Sequence, residues 1–192
     1  MDCAERYNPF FVKGKSMLER FYPDCYYESA YVIDYERLYS EGFRGLIYDI
    51  DNTLVPHGAP ADARALELMD RLKRVGFKIT FLSNNKEPRV AMFNEKIGAD
   101  YIFKAGKPKA ANYLKAAENM GCGPDKTVFI GDQLFTDIWG ANNAGIKSFL
   151  VVPIDKSTDE IQIVLKRILE RIVLGFYLKK HGINKGKQRH EM

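Results

Sequence analysis

Five short apolar runs recur along the middle of the chain, each with the length and the β-branched or aromatic content of a buried strand. In chain order they read GLIYDI, FKITFL, DYIF, TVFI and KSFLVV. Between them lie segments with apolar residues at helical spacing, notably Ala63 to Val75 and Lys109 to Met120. Such alternation of strand and helix predicts an α/β fold, a parallel sheet with helices on both faces.

The two ends of the chain are less regular than this middle. The amino-terminal part mixes aromatic residues with a turn signal, and short helices are predicted at Lys15 to Tyr22 and Tyr35 to Tyr39. With 192 residues and 46% hydrophobic composition, the chain has enough residues for one sizeable core. We therefore expect a core over 44–155, an extension over 1–43 that packs on it, and a basic amphipathic helix and tail over 156–192.

Polar residues cluster directly after each of the first four predicted strands. The clusters are Asp49, Asp51, Asn52 and Thr53; Ser83, Asn84 and Asn85; Lys107; and Asp132 with Asp137. Because the carboxyl ends of parallel strands share one edge of a sheet, these side chains are expected to converge on one crevice. Carboxylates crowded together need a cation, and oxygen ligands without His or Cys favour a hard ion such as Mg²⁺. Magnesium in turn favours a phosphate substrate.

Each cluster also has an ordinary structural interpretation. The pair Asp49 and Asp51 could be a turn or a helix cap, Ser83 could cap the next helix, and Lys107 before Pro108 could start one. The joint occurrence of four clusters favours catalysis. Two acids spaced by one residue could divide the work, one attacking phosphorus and the other exchanging a proton. His57, in a loop beside the site, is interpreted as incidental.

In order and placement, these residues resemble the four motifs of the haloacid dehalogenase (HAD) superfamily of phosphatases. The matching positions are Asp49-Ile50-Asp51-Asn52-Thr53-Leu54, Ser83, Lys107, and Gly131-Asp132 with Asp137. FYPDCYYESAYVIDYERLYSEGFRGLIYDIDNTLV and GDQLFTDIWGANNAGI resemble the YqeG-type IIIA branch, which includes phosphatidylglycerophosphate phosphatases. The likeness covers roughly Phe21 to Val152 and implies a three-layer, Rossmann-like HAD fold with a central parallel sheet.

The resemblance also implies catalytic roles. Asp49 would be the nucleophile that forms a phosphoaspartate, and Asp51 the general acid and base. Thr53 would support their loop and contact substrate. Because dehalogenating members of the superfamily lack an acid at the position of Asp51, phosphate hydrolysis is the expected reaction.

The remaining motif residues would bind the phosphoryl group and the metal. Ser83 and Asn84 would contact the substrate, and Lys107 would balance its charge. Mg²⁺ would be held by the Asp49 and Asp132 carboxylates and the backbone carbonyl of Asp51. Asp137 would lie behind these ligands, towards Lys107 or a water on the metal.

The spacing of the motifs leaves no room for a large cap domain. Only residues 52–82 separate Asp51 from Ser83, and only residues 84–106 separate Ser83 from Lys107. An uncovered site suits a substrate attached to something large, and the resemblance favours phosphatidylglycerophosphate, converted to phosphatidylglycerol. Two alternatives stay open: the same chemistry on a soluble, protein or nucleic-acid phosphate, and a non-catalytic HAD-like scaffold.

The carboxyl end is basic, with eight basic residues against two acidic ones from Ile163 onwards, a local charge of +6 in a chain of net +4. Within DEIQIVLKRILERIVLGFYLKK, helical spacing groups eight apolar residues: Ile161, Val164, Leu165, Ile168, Leu169, Ile172, Val173 and Phe176. Gln162, Lys166, Arg167, Glu170 and Arg171 form the opposite side. This helix could cap the sheet with its apolar face, or it could contact an anionic membrane. Nucleic acid is a less favoured partner.

The three cysteines lack a CxxC pair, which argues against a disulfide framework and a zinc site and favours a reducing compartment. The amino terminus carries acidic residues and no continuous apolar segment, so we expect no secretory signal, and no apolar run reaches membrane-spanning length. We expect a cytoplasmic protein, alternatively one that is peripheral at the inner face of the membrane.

Overall fold

A computed structural model describes residues 18–155 and 161–182. Its strands are β1 Cys25–Tyr27, β2 Gly45–Tyr48, β3 Lys78–Leu82, β4 Asp100–Ile102, β5 Thr127–Gly131 and β6 Lys147–Val151. All pair in parallel in the order β1-β6-β5-β2-β3-β4. The predicted α/β class with a central parallel sheet is confirmed, and all five predicted strands are present.

Helices alternate with these strands. They are α1 Tyr35–Ser40, α2 Ala63–Val75, α3 Glu87–Asn94, α4 Ala111–Asn119, α5 Trp139–Asn143 and α6 Ile161–His181. The bounds of α2 are the predicted ones, and α4 is a little shorter than predicted. Of the helix predicted at Lys15 to Tyr22, the structure shows a single 3₁₀ turn, Glu19–Phe21, and residues 15–17 lie outside the described range.

Helix α2 shows why the apolar spacing was informative. Its first turn is capped by Asp62, whose carboxylate accepts the backbone N–H of Ala65. Gly76 ends it in the left-handed conformation, φ 108°, with its N–H donating to carbonyls of the last turn. The buried face consists of Ala65, Leu68, Met69 and Leu72.

The central strand β2 is buried on both faces. Leu46 and Tyr48 belong to the apolar layer on one side of the sheet, and Ile47 belongs to the layer on the other. Successive side chains of a strand point to opposite faces, so both layers are built from one short run. Because β2 is buried along its whole length, polar side chains occur only after its carboxyl end, beginning with Asp49.

The sixth strand, β1, was not predicted. It lies at the edge of the sheet beside β6, and the Asp24 carboxylate accepts the backbone N–H of Ser148 at 2.8 Å. Three residues in an aromatic, proline-containing segment show no alternation long enough to predict a strand. The amino-terminal segment thus contributes directly to the central sheet.

Helix α6 is oriented differently from the predicted arrangement. Arg167 and Glu170, assigned to the polar side, are buried, whereas Ile168, Leu169, Ile172 and Phe176 are exposed. The side chains of Ile161, Val164 and Leu165 lie outside the described residues. The buried ion pair of Arg167 turns that side of the helix towards the core. Four residues of the predicted apolar side therefore face away from the core, whereas Val173 of the same side is buried. Among the described residues, no helix is long and apolar enough to cross a bilayer.

Candidate active site

The site lies at the carboxyl ends of β2 and β5, which are neighbours at the centre of the sheet. Asp49 directly follows β2, and its backbone N–H donates to the carbonyl of Ile130 at 2.9 Å. Asp132 directly follows β5. Because the chain leaves these two strands towards opposite halves of the sheet, a crevice opens between them, and open α/β sheets bind ligands there.

Asp137 reaches the same place from a π-helical turn, Leu134–Ile138. Its Oδ2 accepts the backbone N–H groups of Asp132 at 3.1 Å and of Gln133 at 3.0 Å. The carboxylate also lies against Gly131, where an added Cβ would come within 2.5 Å of Asp137 Oδ2. A larger residue than glycine at that position would displace Asp137.

Lys107 joins two of the acids. Its Nζ lies 2.6 Å from Asp49 Oδ1 and 2.7 Å from Asp137 Oδ1, with the lysine side chain 4% exposed. The backbone of Lys107 is held by Asn84, whose Oδ1 accepts the Lys107 N–H at 2.8 Å and whose Nδ2 donates to its carbonyl at 3.3 Å. Asn84, predicted to bind substrate, here positions the lysine.

Asp132 contacts a cation from the far end of the chain. Arg167 of α6 places Nη2 2.8 Å from Asp132 Oδ2, and both side chains are buried. The Thr53 hydroxyl lies 3.4 Å from Asp132 Oδ1, which ties the predicted loop residue to the second strand end. Sequence reasoning missed Arg167, because nothing in a basic helix indicates which of its arginines meets position 132.

Asp49, Asp132 and Asp137 form one group of buried carboxylates, each with an oxygen within 4.8 Å of the others. Lys107 and Arg167 supply two positive charges against three negative ones, so the ionised group retains a negative charge. All donors are oxygen, the chemistry that hard divalent cations prefer. The group therefore fits a hard divalent cation, with the Asp137 carboxylate as a third oxygen donor beside Asp49 and Asp132.

Burial and mutual repulsion dominate the acidity of the group. Burial raises the pKa of Asp49 to about 7, with Lys107 opposing the shift and Asp137 adding to it. Burial also raises the pKa of Asp132, followed by the charges of Asp137 and Asp49, against the effect of Arg167. Burial alone would lower the pKa of Lys107, but Asp137 and Asp49 raise it above its ordinary value. The lysine is accordingly charged.

Asp51 turns towards a separate set of donors. Its Oδ1 accepts the backbone N–H of Gly58 at 2.7 Å and Nη2 of Arg89 at 2.8 Å. Its Oδ2 accepts Nδ2 of Asn85 at 2.7 Å, and Nδ1 of His57 lies 3.7 Å from Oδ1. A backbone N–H, a guanidinium and a side-chain amide therefore hold the Asp51 carboxylate in place. Neither Arg89 nor His57 was predicted to contact the site.

Ser83 lies one strand away, after β3, and is buried. Its hydroxyl accepts the backbone N–H of Asn85 at 3.1 Å in a local turn, and because the N-cap of α3 is Lys86, Ser83 does not cap that helix. The same contact orients Asn85 towards Asp51. The predicted substrate contact of Ser83 stays a prediction.

Mg²⁺ is expected to raise the melting temperature more at about pH 8 than at about pH 6, because the metal binds ionised carboxylates. Below its pKa of about 7, Asp49 carries a proton that the metal must displace. A raised carboxyl pKa also means that the metal-free protein loses stability as pH rises through that value. Thermal denaturation with and without Mg²⁺ measures both effects, with Asp132→Asn as a control. Equal shifts at the two pH values would contradict this electrostatic account.

Comparison with known proteins agrees with this geometry. The HAD-hydrolase-like family matches residues 104–161. The chain is 37% identical over 167 residues to the probable phosphatase YqeG of Bacillus subtilis, covering 86% of this chain and 97% of the relative. The chain belongs to the YqeG family of HAD phosphatases. The α/β fold class and the assignment as an enzyme, predicted from the motifs, are thereby confirmed.

The chain is also similar to more distant proteins. Phosphatidylglycerophosphate phosphatase 1, chloroplastic/mitochondrial, of Arabidopsis thaliana is 27% identical over 158 residues. That match covers 77% of this chain and 45% of the plant protein, so the chain spans less than half of that relative. Among solved structures, the cobalt-bound deoxy-D-mannose-octulosonate 8-phosphate phosphatase of Haemophilus influenzae aligns over 71% of this chain and 90% of its own, with 14% identity and a TM-score of 0.48.

Proposed function

We propose that the protein hydrolyses a phosphate monoester through a phosphoaspartate on Asp49, with Mg²⁺ as cofactor and phosphatidylglycerophosphate as substrate. The observation that carries the chemistry is the buried contact of Asp49 with Lys107 beside Asp132 and Asp137. Lys107 engages only Oδ1 of Asp49, which leaves Oδ2 for attack on phosphorus. The lysine charge then balances the anionic phosphoryl oxygens.

The reaction proceeds in two displacements. Asp49 attacks phosphorus, the bond from phosphorus to the leaving oxygen breaks, and Asp51 protonates that oxygen. A water molecule then attacks phosphorus and gives its proton to Asp51, and the bond from Asp49 to phosphorus breaks to release inorganic phosphate. When bound, Mg²⁺ would supply positive charge at the phosphoryl oxygens. Asp49, Asp132 and Asp137 are the carboxylates that would hold it, and the Asp51 carbonyl stays a predicted ligand.

The contacts of Asp51 bear on both displacements. Arg89 Nη2 and Asn85 Nδ2 donate to its carboxylate and orient it beside the catalytic turn. The substrate phosphate is a competing acceptor for the Arg89 guanidinium, so we expect Arg89 to contact the substrate when it binds.

Asp51→Asn is expected to lower kcat by about 10²–10⁴-fold for an alkyl phosphate, the usual contribution of a general acid and base. The loss should be smaller in the first displacement of p-nitrophenyl phosphate, because nitrophenolate leaves without a proton. Rapid-quench measurement of nitrophenol and of phosphate separates the two steps. An equal loss in both steps for both substrates would contradict the assignment of Asp51.

Three features support a lipid substrate. The named plant relative is a phosphatidylglycerophosphate phosphatase. The motif spacing leaves no room for a large cap domain. The helix beside the site, α6, exposes basic residues, including Arg171 and Lys179. A substrate anchored in a bilayer can reach such a site without being enclosed by it.

A phosphatase panel tests the proposal. Phosphatidylglycerophosphate in vesicles is compared with glycerol 3-phosphate, sugar phosphates, nucleotides and a phosphopeptide, each with Mg²⁺ and with a chelator. We expect kcat/KM for the lipid to exceed that for the soluble esters by about a hundredfold. A higher kcat/KM for a soluble, protein or nucleotide phosphate would identify that class, rather than the lipid, as the substrate. No release from any substrate would favour a non-catalytic scaffold.

A further inference from the structure

Helix α6 presents its apolar stripe to the outside. Ile168, Leu169, Ile172 and Phe176 are 50%, 56%, 56% and 53% exposed. At about 3.6 residues per turn, these four positions share one face of the helix. Single exposed apolar residues are ordinary, but a continuous stripe of four large ones indicates a binding surface.

The inward face explains why the stripe cannot turn towards the core. Arg167 reaches Asp132, and the Glu170 carboxylate accepts the backbone N–H of Phe135 at 3.0 Å. Further along, Val173, Tyr177 and Leu178 are buried. These contacts hold the helix with the stripe pointing away from the sheet. The contact of Arg167 also places α6 next to Asp132 of the candidate site.

The exposed charges of the described part of α6 are all basic. Arg171 and Lys179 are exposed, Lys180 is exposed and pairs with Glu19, and the one acidic residue in this part, Glu170, is buried. A second copy of the chain docked through the same face would bring these basic residues towards their own counterparts. An anionic lipid surface instead complements them, and it accepts apolar side chains below its headgroups.

We propose that the outer face of α6 docks on an anionic lipid bilayer, with Ile168, Leu169, Ile172 and Phe176 entering the headgroup boundary. This inference rests on the proposed lipid substrate and deepens it by naming the contact surface. Ile154 is 43% exposed. Its backbone N–H donates to the carbonyl of Asn52, which places this apolar side chain at the edge of the turn that follows Asp51. Docking through α6 brings that edge close to the headgroups.

Vesicle flotation tests the docking surface without any phosphomonoester. Vesicles of phosphatidylglycerol and phosphatidylcholine are compared with vesicles of phosphatidylcholine alone. The full chain is expected to bind the anionic vesicles, and Ile172→Asp with Phe176→Asp to bind them at least about tenfold more weakly. Met92→Asp with Leu114→Asp is the matched control, because it places the same charges at exposed apolar positions on α3 and α4. This control should bind like the wild type.

The outcomes separate docking from substrate choice. Equal binding by the α6 variant and the wild type would overturn the proposal, provided that circular dichroism shows both folded. A dimer that is lost in the α6 variant, without vesicle binding by the wild type, would overturn it in favour of a second copy. Vesicle binding through α6 without hydrolysis of phosphatidylglycerophosphate would support docking and reject the substrate proposal alone.

Discussion

Replacing Asp49 by asparagine is expected to reduce phosphate release by at least about 10³-fold while leaving the protein folded. The amide is a poor nucleophile, so the phosphoenzyme should not form. The substitution also removes one of the three carboxylate charges. The two that remain, on Asp132 and Asp137, are balanced by the positive charges of Lys107 and Arg167. The metal-free variant should therefore melt no lower than the wild type at about pH 8, where the wild-type Asp49, with its pKa of about 7, is ionised.

Two measurements separate loss of the nucleophile from loss of the fold. Rapid-quench mass spectrometry should show one added phosphoryl group on the wild type and none on Asp49→Asn. Asp100→Asn makes the same chemical change at an exposed acid in β4 and should retain wild-type turnover. Turnover of Asp49→Asn at the wild-type rate would refute the phosphoaspartate mechanism.

Much of the architecture was predictable because its signals are local. The strand β2 was marked by an apolar run, and the polar residues at its carboxyl end followed from the parallel arrangement. The convergence of Asp49, Lys107 and Asp132 could be predicted from the parallel arrangement alone, because all three residues follow strands of one sheet. Helix α2 was predictable in its bounds because a capping Asp62 and a terminal Gly76 frame its apolar face.

The parts that were missed depend on contacts between distant positions. Arg89 and Arg167 meet Asp51 and Asp132 through the packing of α3 and α6, and no residue pattern relates those positions. The orientation of α6 was missed for the same reason. Hydrophobic spacing predicts that an apolar stripe exists, but a buried ion pair can decide which side of the helix faces the protein.

Among the described residues, Lys107 is the cation with the largest expected effect on stability. Lys107→Met keeps the length of the side chain but removes its charge between Asp49 and Asp137. Loss of one partner from a buried ion pair costs about 3–5 kcal/mol, because the other charge stays uncompensated. We expect the free energy of unfolding, measured with urea, to fall by about that amount at about pH 8, together with loss of phosphatase activity.

The pH dependence of this loss identifies its cause. Without Lys107, the opposing influence on the raised pKa of Asp49 disappears, so the pKa of this carboxyl rises above its present value of about 7. A carboxyl with a raised pKa stabilises the fold while protonated and loses that contribution as pH rises through the folded-state value. The deficit should therefore shrink at about pH 6. Lys109→Met, at an exposed neighbouring lysine, should change stability little at either pH. A deficit in Lys107→Met that is independent of pH would indicate lost packing rather than uncompensated charge.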